Sequence, residues 1–199
     1  MQEQRIILAS ASPRRQELLK LLISEFEVIP SRFDENSIPT TTSPEKAVAA
    51  SALAKAKDVA RRHPEAIVIG ADTVVVVDDH ALGKPSDEED ARQMLMLLSG
   101  RSHYVYTGVA VVTTDSQRIE ATGCERTEVW FRELSPELID RYIATGEPMD
   151  KAGANAIQGK GCALVERIRG CYINVDGLPL YRLSRMLEKF GLELLTTNP

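Results

Sequence analysis

The chain has 199 residues, 43% apolar and 27% charged, which is ordinary globular composition and long enough for one sizeable core. With 24 basic against 29 acidic residues the net charge is −5, which excludes the broad basic footprint of a protein that coats nucleic acid or an anionic membrane. Three cysteines without C-x-x-C spacing (Cys124, Cys162, Cys171) predict reduced thiols, and His63, His80 and His103 lack metal-ligand spacing and are expected in surface or loop positions.

Residues 5–9 read as a first strand, and the polar start that precedes it predicts no signal peptide. No apolar run approaches the roughly 20 residues of a membrane span. A cytoplasmic protein with no membrane or nucleic-acid partner is expected. Ser12 and Pro13 are a good N-cap and first helical residue for a helix burying Leu18, Leu19, Leu22 and Ile23. Arg14 and Arg15 stand in its first turn, where the helix dipole disfavours cations. Either they are solvated at a small electrostatic cost, or they complete an anion site with the free N–H groups of the turn.

Residues 27–30 suit a short strand, and Asp34 and Glu35 are adjacent carboxylates in a polar loop. Residues 40–45 repeat the cap-plus-proline signal and open an Ala-rich helix to about residue 62, with Val48, Leu53, Ala56 and Val59 for burial. Lys55 and Lys57 lie two apart on it, so at most one faces a given site. Two β-branched runs then flank Gly70-Ala71-Asp72-Thr73, which is expected to break the strand and leave Asp72 either capping a turn or in a polar pocket. Residues 78–80 resemble a hairpin tip, and Lys84 is framed by Gly83 and Pro85. Residues 86–89 read as a capping box, starting a helix with Ala91, Met94, Leu95 and Leu98 inward.

Residues 104–113 predict a strand, with a turn near 115–116, and residues 118–131 one long or two short strands with Thr127, Val129 and Phe131 on one face and Trp130 on the other. Ser135 caps a helix to about Thr145, with Leu138, Ile139, Tyr142 and Ile143 inward. Residues 147–161 form a long Gly-containing loop with a buried-looking centre, expected to be functional. Residues 162–165 and 171–175 are expected to pair as a hairpin through Arg169 and Gly170. Pro179 starts a last helix with Leu180, Leu183, Leu187 and Phe190 inward, stopped at Gly191. Alternating elements followed by clustered strands predict a mixed α/β sheet in a single domain, 1–199.

Ser10, Arg14, Arg15, Glu35, Lys55, Asp72, Thr73, Lys84 and Gln158 make up the polar set at expected element ends. Cations suit a polyphosphate, and carboxylates suit Mg²⁺ shared with phosphate oxygens. A P-loop is excluded, no G-x-S-x-G elbow occurs, and the second Asp of an aspartyl-phosphate D-x-D would fall at Val74.

L-A-S-A-S-P-R-R-Q-E-L-L (8–19), G-A-D-T-V-V (70–75), G-K-P (83–85), G-E-P-M-D-K-A-G (146–153), I-Q-G (157–159) and G-L-P-L (177–180), in this order, resemble the Maf family of nucleoside triphosphate pyrophosphatases over nearly the whole chain. The resemblance implies an elongated, two-lobed α/β fold akin to the inosine triphosphate pyrophosphatases, with a cleft between the lobes. It implies cleavage of a nucleoside triphosphate to monophosphate and pyrophosphate with a divalent cation (Mg²⁺, Mn²⁺ or Co²⁺), often in a homodimer. Asp72 matches the family's catalytic base, and Arg14, Thr73 and Gln158 its specificity positions. Ser10, Arg15, Lys55 and Lys84 match positions expected to bind phosphate, and Glu35 joins Asp72 as an expected metal ligand. The I-Q-G form resembles the branch acting on dTTP and UTP.

A Gln amide complements the N3–H and O4 of uracil or thymine, but would pair with cytosine if it flipped, so something must fix the orientation of Gln158. The chain departs from the family pattern at Asn155, where Tyr is usual in the base-recognition loop, and at Asp176, where Val is usual and a surface position is expected. The alternative reading is a nucleotide-binding regulator of cell division, or septum formation, whose hydrolysis is incidental.

Overall fold

The two β-branched runs around Gly70 form one unbroken strand, and the reason lies in what covers it. A computed structural model describes residues 4–39, 43–114, 119–192 and 194. Strands β1 (Ile6–Leu8), β2 (Glu27–Val28), β3 (Ile67–Val77), β4 (His80–Leu82), β5 (Ser102–Val112), β6 (Glu120–Phe131) and β7 (Val165–Arg169) form a seven-stranded mixed sheet. Its order is β2-β1-β3-β5-β6-β7, with β4 paired to β3. β1 runs parallel to β2 and β3, with Ile7 opposite Val68, while β4 and β7 are antiparallel to β3 and β6. The helices are α1 (Pro13–Lys20), α2 (Pro44–Ala60), α3 (Glu88–Leu98), α4 (Pro136–Ile143), α5 (Tyr172–Val175) and α6 (Leu180–Leu187). Among the described residues no helix is long and apolar enough to cross a membrane.

The chain divides into two units: Met1–Asp72, Thr107–Glu125 and Gly177–Pro199, and Thr73–Tyr106 and Arg126–Asp176. In the first, the alanine face of α2 (Ala52, Ala56, Ala60) packs with Ile7, Val68, Ala110 and Val112. Helix and sheet touch backbone to backbone. A Cβ on Gly70 would lie 2.2 Å from the Ala52 carbonyl oxygen, and one on Gly108 would lie 2.1 Å from that of Val48. The glycine that suggested a strand break is therefore the place where a helix lies directly on the strand. α1 starts as expected, with the Ser12 side chain capping Arg15 N–H and Pro13 in the first turn.

In the second unit α3 and α4 bury Ala91, Leu95, Leu98, Ile139, Tyr142 and Ile143 against Val75, Val105, Val129 and Phe131. The expected hairpin tip is a two-residue turn, Asp78 (φ 47°) and Asp79 (φ 61°), pairing Val77 with His80. The N-cap of α3 is Asp87, whose carboxylate accepts Asp90 N–H at 2.8 Å, one residue later than the predicted box. His103, expected at the surface, is 1% exposed, because strand alternation turns it inward with Val105 and Thr107. Asp176 is likewise buried, closing α5, rather than at the surface.

The expected hairpin of 162–165 with 171–175 does not form. Residues Gly159–Ala163 wind into a 3-10 turn, the strand is Val165–Arg169, and Tyr172–Val175 is helical. Thr127 Oγ1 accepts Cys171 N–H at 3.1 Å and donates to its carbonyl at 2.9 Å, so the ladder positions of residue 171 go to a side chain. Buried Asn174 then donates to the Val105 carbonyl at 3.1 Å and to Thr127 Oγ1 at 3.0 Å. The predicted turn at 115–116 and the start of the cap-plus-proline signal at 40–42 lie outside the described residues.

Gly70→Ala is expected to lift α2 from the sheet and lower unfolding free energy by about 3 kcal/mol. Chemical denaturation at an unchanged m-value checks it.

Candidate active site

Asp72 stands within β3, next to the glycine contact with α2, and its side chain is 19% exposed. Lys55, one position before Ala56 on the sheet-facing side of α2, reaches it: Nζ donates to Asp72 Oδ1 at 2.8 Å. The same ammonium lies 2.7 Å from Glu35 Oε1, carried by the 3-10 turn Glu35–Ser37. Lys55 is buried and would be costly there without these carboxylates. Lys57 points elsewhere, to Glu120 at 2.7 Å.

Arg15 joins three stretches of sequence. Its Nη1 donates to Ser10 Oγ at 3.2 Å and to the Ala71 carbonyl at 3.0 Å, and its Nε to the Gly177 carbonyl at 2.8 Å. Ser10 Oγ also accepts Ser12 N–H at 3.3 Å. Burial pushes the Arg15 pKa below the ordinary guanidinium range, opposed by Asp72 and Glu35 and reinforced by Arg14. Even so lowered, a guanidinium stays charged near neutrality. Arg14 is half-buried beside it in a first turn that holds no acidic residue. The first unit thus assembles Ser10, Arg15, Glu35, Lys55 and Asp72 into one bonded group, with Arg14 close enough to act on it by charge.

Thr73 follows Asp72 in β3 and is half-buried, while Lys84 and Gln158 are exposed residues of the second unit. The motif that carries Lys84 is tied to the loop that leads to Gln158: Gly153 N–H donates to the Gly83 carbonyl at 2.8 Å. Gly153 (φ 63°) has no room for a side chain, since a Cβ would lie 2.9 Å from Val75. Lys151 spends its ammonium locally, 2.5 Å from the Glu147 carbonyl oxygen and 2.7 Å from Asp150 Oδ1.

Glu147 is the residue that sequence reasoning missed. Its Oε2 accepts Lys160 N–H at 2.9 Å, and its Oε1 accepts Gly161 N–H at 2.9 Å and the Tyr142 hydroxyl at 3.2 Å. Burial alone would raise its pKa, but these donors and the charge of Lys151 outweigh that and hold it below the ordinary carboxylate range. The available signal was an acid at the foot of a glycine-rich loop whose turns need acceptors.

Asn155, in the loop centre expected to be buried, is buried. It neighbours His103, which meets Phe131 edge-on with ring centroids 4.9 Å apart. Neither His103 nitrogen nor Asn155 Oδ1 makes a well-formed hydrogen bond among the described residues. Burial pushes the imidazole down to about 4, against a small opposing pull from Asn155.

A bonded group of carboxylates and cations, with Asp72 within strand β3 and Lys55 within helix α2 of a mixed α/β sheet, defines an anion-handling α/β protein. The chain belongs to the Maf family: its profile, described as Maf-like protein, matches residues 5–190. A relative from Dictyoglomus thermophilum, named dTTP/UTP pyrophosphatase, is 49% identical over 190 residues, covering 96% of this chain and 98% of its own. One of the same name from Bacillus cytotoxicus is 52% identical over 186 residues, covering 94% of this chain and 95% of its own. A crystal structure of a nucleoside-triphosphatase / dITP/XTP pyrophosphatase from Mycobacterium abscessus aligns over 93% of this chain and 94% of its own, with 14% identity and a TM-score of 0.46.

Neutral His103 stabilises the fold above its unfolded pKa near 6.5, and that contribution is lost as pH falls towards about 4. The loss is expected to reach about 3 kcal/mol. Denaturant titrations between these pH values would show the slope, and His103→Leu should remove it.

Proposed function

We propose that the protein is a nucleoside triphosphate pyrophosphatase that hydrolyses dTTP and UTP to the monophosphate and pyrophosphate. The observation that carries this reading is Asp72 held with Glu35 on the single ammonium of Lys55, beside Arg15. Relatives about half identical over nearly the whole chain, named dTTP/UTP pyrophosphatase, support the substrate assignment.

Asp72 accepts the proton of a water molecule that attacks the α-phosphorus. The bond to the bridging oxygen breaks and pyrophosphate leaves. Arg14, Lys55 and Lys84 neutralise the triphosphate and its leaving group. Arg15 has Nε and Nη1 donors committed to Ser10, Ala71 and Gly177, so it adds charge to the phosphate site while holding the backbone beside Asp72. Ser10 is set by that guanidinium. Thr73 and Gln158 select the base.

Asp72 and Glu35 fit a divalent cation, since two carboxylates already gather around one positive charge. An ion held by two carboxylates would complete its shell with substrate phosphate oxygens. Bound Mg²⁺, or Mn²⁺ or Co²⁺, would polarise a phosphate oxygen and acidify water. The reading treats residues 1–199 as one functional domain of a cytoplasmic homodimer that binds neither nucleic acid nor membrane, with light scattering as the check on the dimer.

A panel of canonical NTPs and dNTPs with Mg²⁺, assayed separately for pyrophosphate and orthophosphate, is expected to give pyrophosphate from dTTP and UTP. Asp72→Asn is expected to lower kcat by about 10²–10⁴-fold while unfolding stays cooperative. Orthophosphate as product, or full activity in the folded variant, would overturn the reading.

A further inference from the structure

We infer that Glu147 is the positioning residue for Gln158, setting the orientation from which that amide selects the base. The inference rests on the reading of Gln158 as the base-selecting residue. An amide that is free to flip cannot discriminate uracil or thymine from cytosine.

Gln158 lies between two fixed points. Before it, Ala156 and Ile157 are each 6% exposed and anchor the backbone in the interior. After it, the Gly159–Ala163 turn hangs on the Glu147 carboxylate through the N–H groups of Lys160 and Gly161, both at 2.9 Å. Gly159 (φ 59°) brings the chain against that carboxylate, since a Cβ there would lie 2.6 Å from Oε2. The backbone of Gln158 is thus held on both sides while its side chain stays exposed and, among the described residues, makes no hydrogen bond.

Glu147 is itself fixed. Its N–H donates to Thr145 Oγ1 at 3.2 Å, its carbonyl accepts Lys151 Nζ, and the buried Tyr142 hydroxyl reaches Oε1 at 3.2 Å. A carboxylate accepts all three donors at once. A glutamine of the same shape turns an N–H₂ donor towards one of them and must release it. The turn, and the Cα of Gln158 with it, then gains freedom without any change in charge at the phosphate-binding group.

The test compares wild type, Glu147→Gln, Tyr142→Phe and Gln158→Ala by kcat and KM on UTP and CTP, beside thermal unfolding. Glu147→Gln is expected to raise KM for UTP and lower the UTP-over-CTP ratio of kcat/KM about tenfold, with kcat much less affected. Tyr142→Phe removes one donor and keeps the carboxylate, so a smaller shift of the same kind is expected even where Glu147→Gln folds poorly. Gln158→Ala should lower the ratio at least as far.

A purely structural role would lower the active fraction equally for both nucleotides and leave the ratio unchanged. An unchanged ratio in Glu147→Gln and Tyr142→Phe, with a lowered ratio in Gln158→Ala, would overturn the positioning role alone. An unchanged ratio in Gln158→Ala would overturn the base-selecting reading and this inference with it. A wild type inactive on UTP and dTTP would overturn the proposed function itself.

Discussion

Helix α2 lies on the sheet with no side chain between them where it crosses Gly70 and Gly108, and this contact places the charges of the first unit. A helix separated from a strand by leucines sits about 10 Å from it, too far for a half-buried carboxylate and a lysine to meet without extending into water. Here the buried face of α2 is mostly alanine, with serine, valine and Lys55, so the helix closes on the backbone and Lys55 meets Asp72 at 2.8 Å. The composition that looks poor for a core is what makes the approach possible. An added methyl on either glycine would act on the charge group through the helix, without touching a charged atom.

The charge group is balanced within itself. A buried ammonium is stable only beside its partners, and unit charges about 4 Å apart interact by about 4 kcal/mol at an effective dielectric of 20. Lys55 has two such partners, and Arg15 regains from Asp72 and Glu35 only part of what burial takes from it. Arg14 beside Arg15 works against both. A cation added to the first turn of a helix, next to another cation, leaves an excess that an anionic ligand would relieve. The carbonyl oxygens of Ala71 and Gly177 hold Arg15 in place.

The second unit solves a different problem, a long segment with few apolar residues to pack. Residues 147–163 contain three short 3-10 turns, and each needs acceptors and donors that a regular ladder would supply. Glu147 supplies two acceptors to N–H groups 13 and 14 residues away, and Gly153 reaches across to Gly83. Beyond them, a 3-10 turn and a short helix stand where local patterning favours a hairpin at 162–175. Neither Cys162 nor Cys171 lies in a strand. Strand propensity loses at residue 171 because Thr127, distant in sequence, holds the N–H and carbonyl that a ladder would need.

Much of this was legible from the chain alone. The caps at Ser12 and Ser135, the apolar stripes of α3, α4 and α6, and the hairpin tip at Asp78 and Asp79 follow from local rules, since each rests on residues within a few positions of one another. The residue types of the charge group were legible too, because cations out of place at a helix start and an acid inside an apolar run are anomalies that sequence shows directly. Three things came only with the tertiary structure: that Gly70 marks a helix contact instead of a break, that Lys55 bridges Asp72 and Glu35, and that Glu147 gathers the turn after Gln158. Each depends on which distant backbone or side chain comes within bonding distance. Periodicity and propensity describe a segment's preference for its own neighbours, and they carry no information about a carbonyl or ammonium brought to it by another part of the fold.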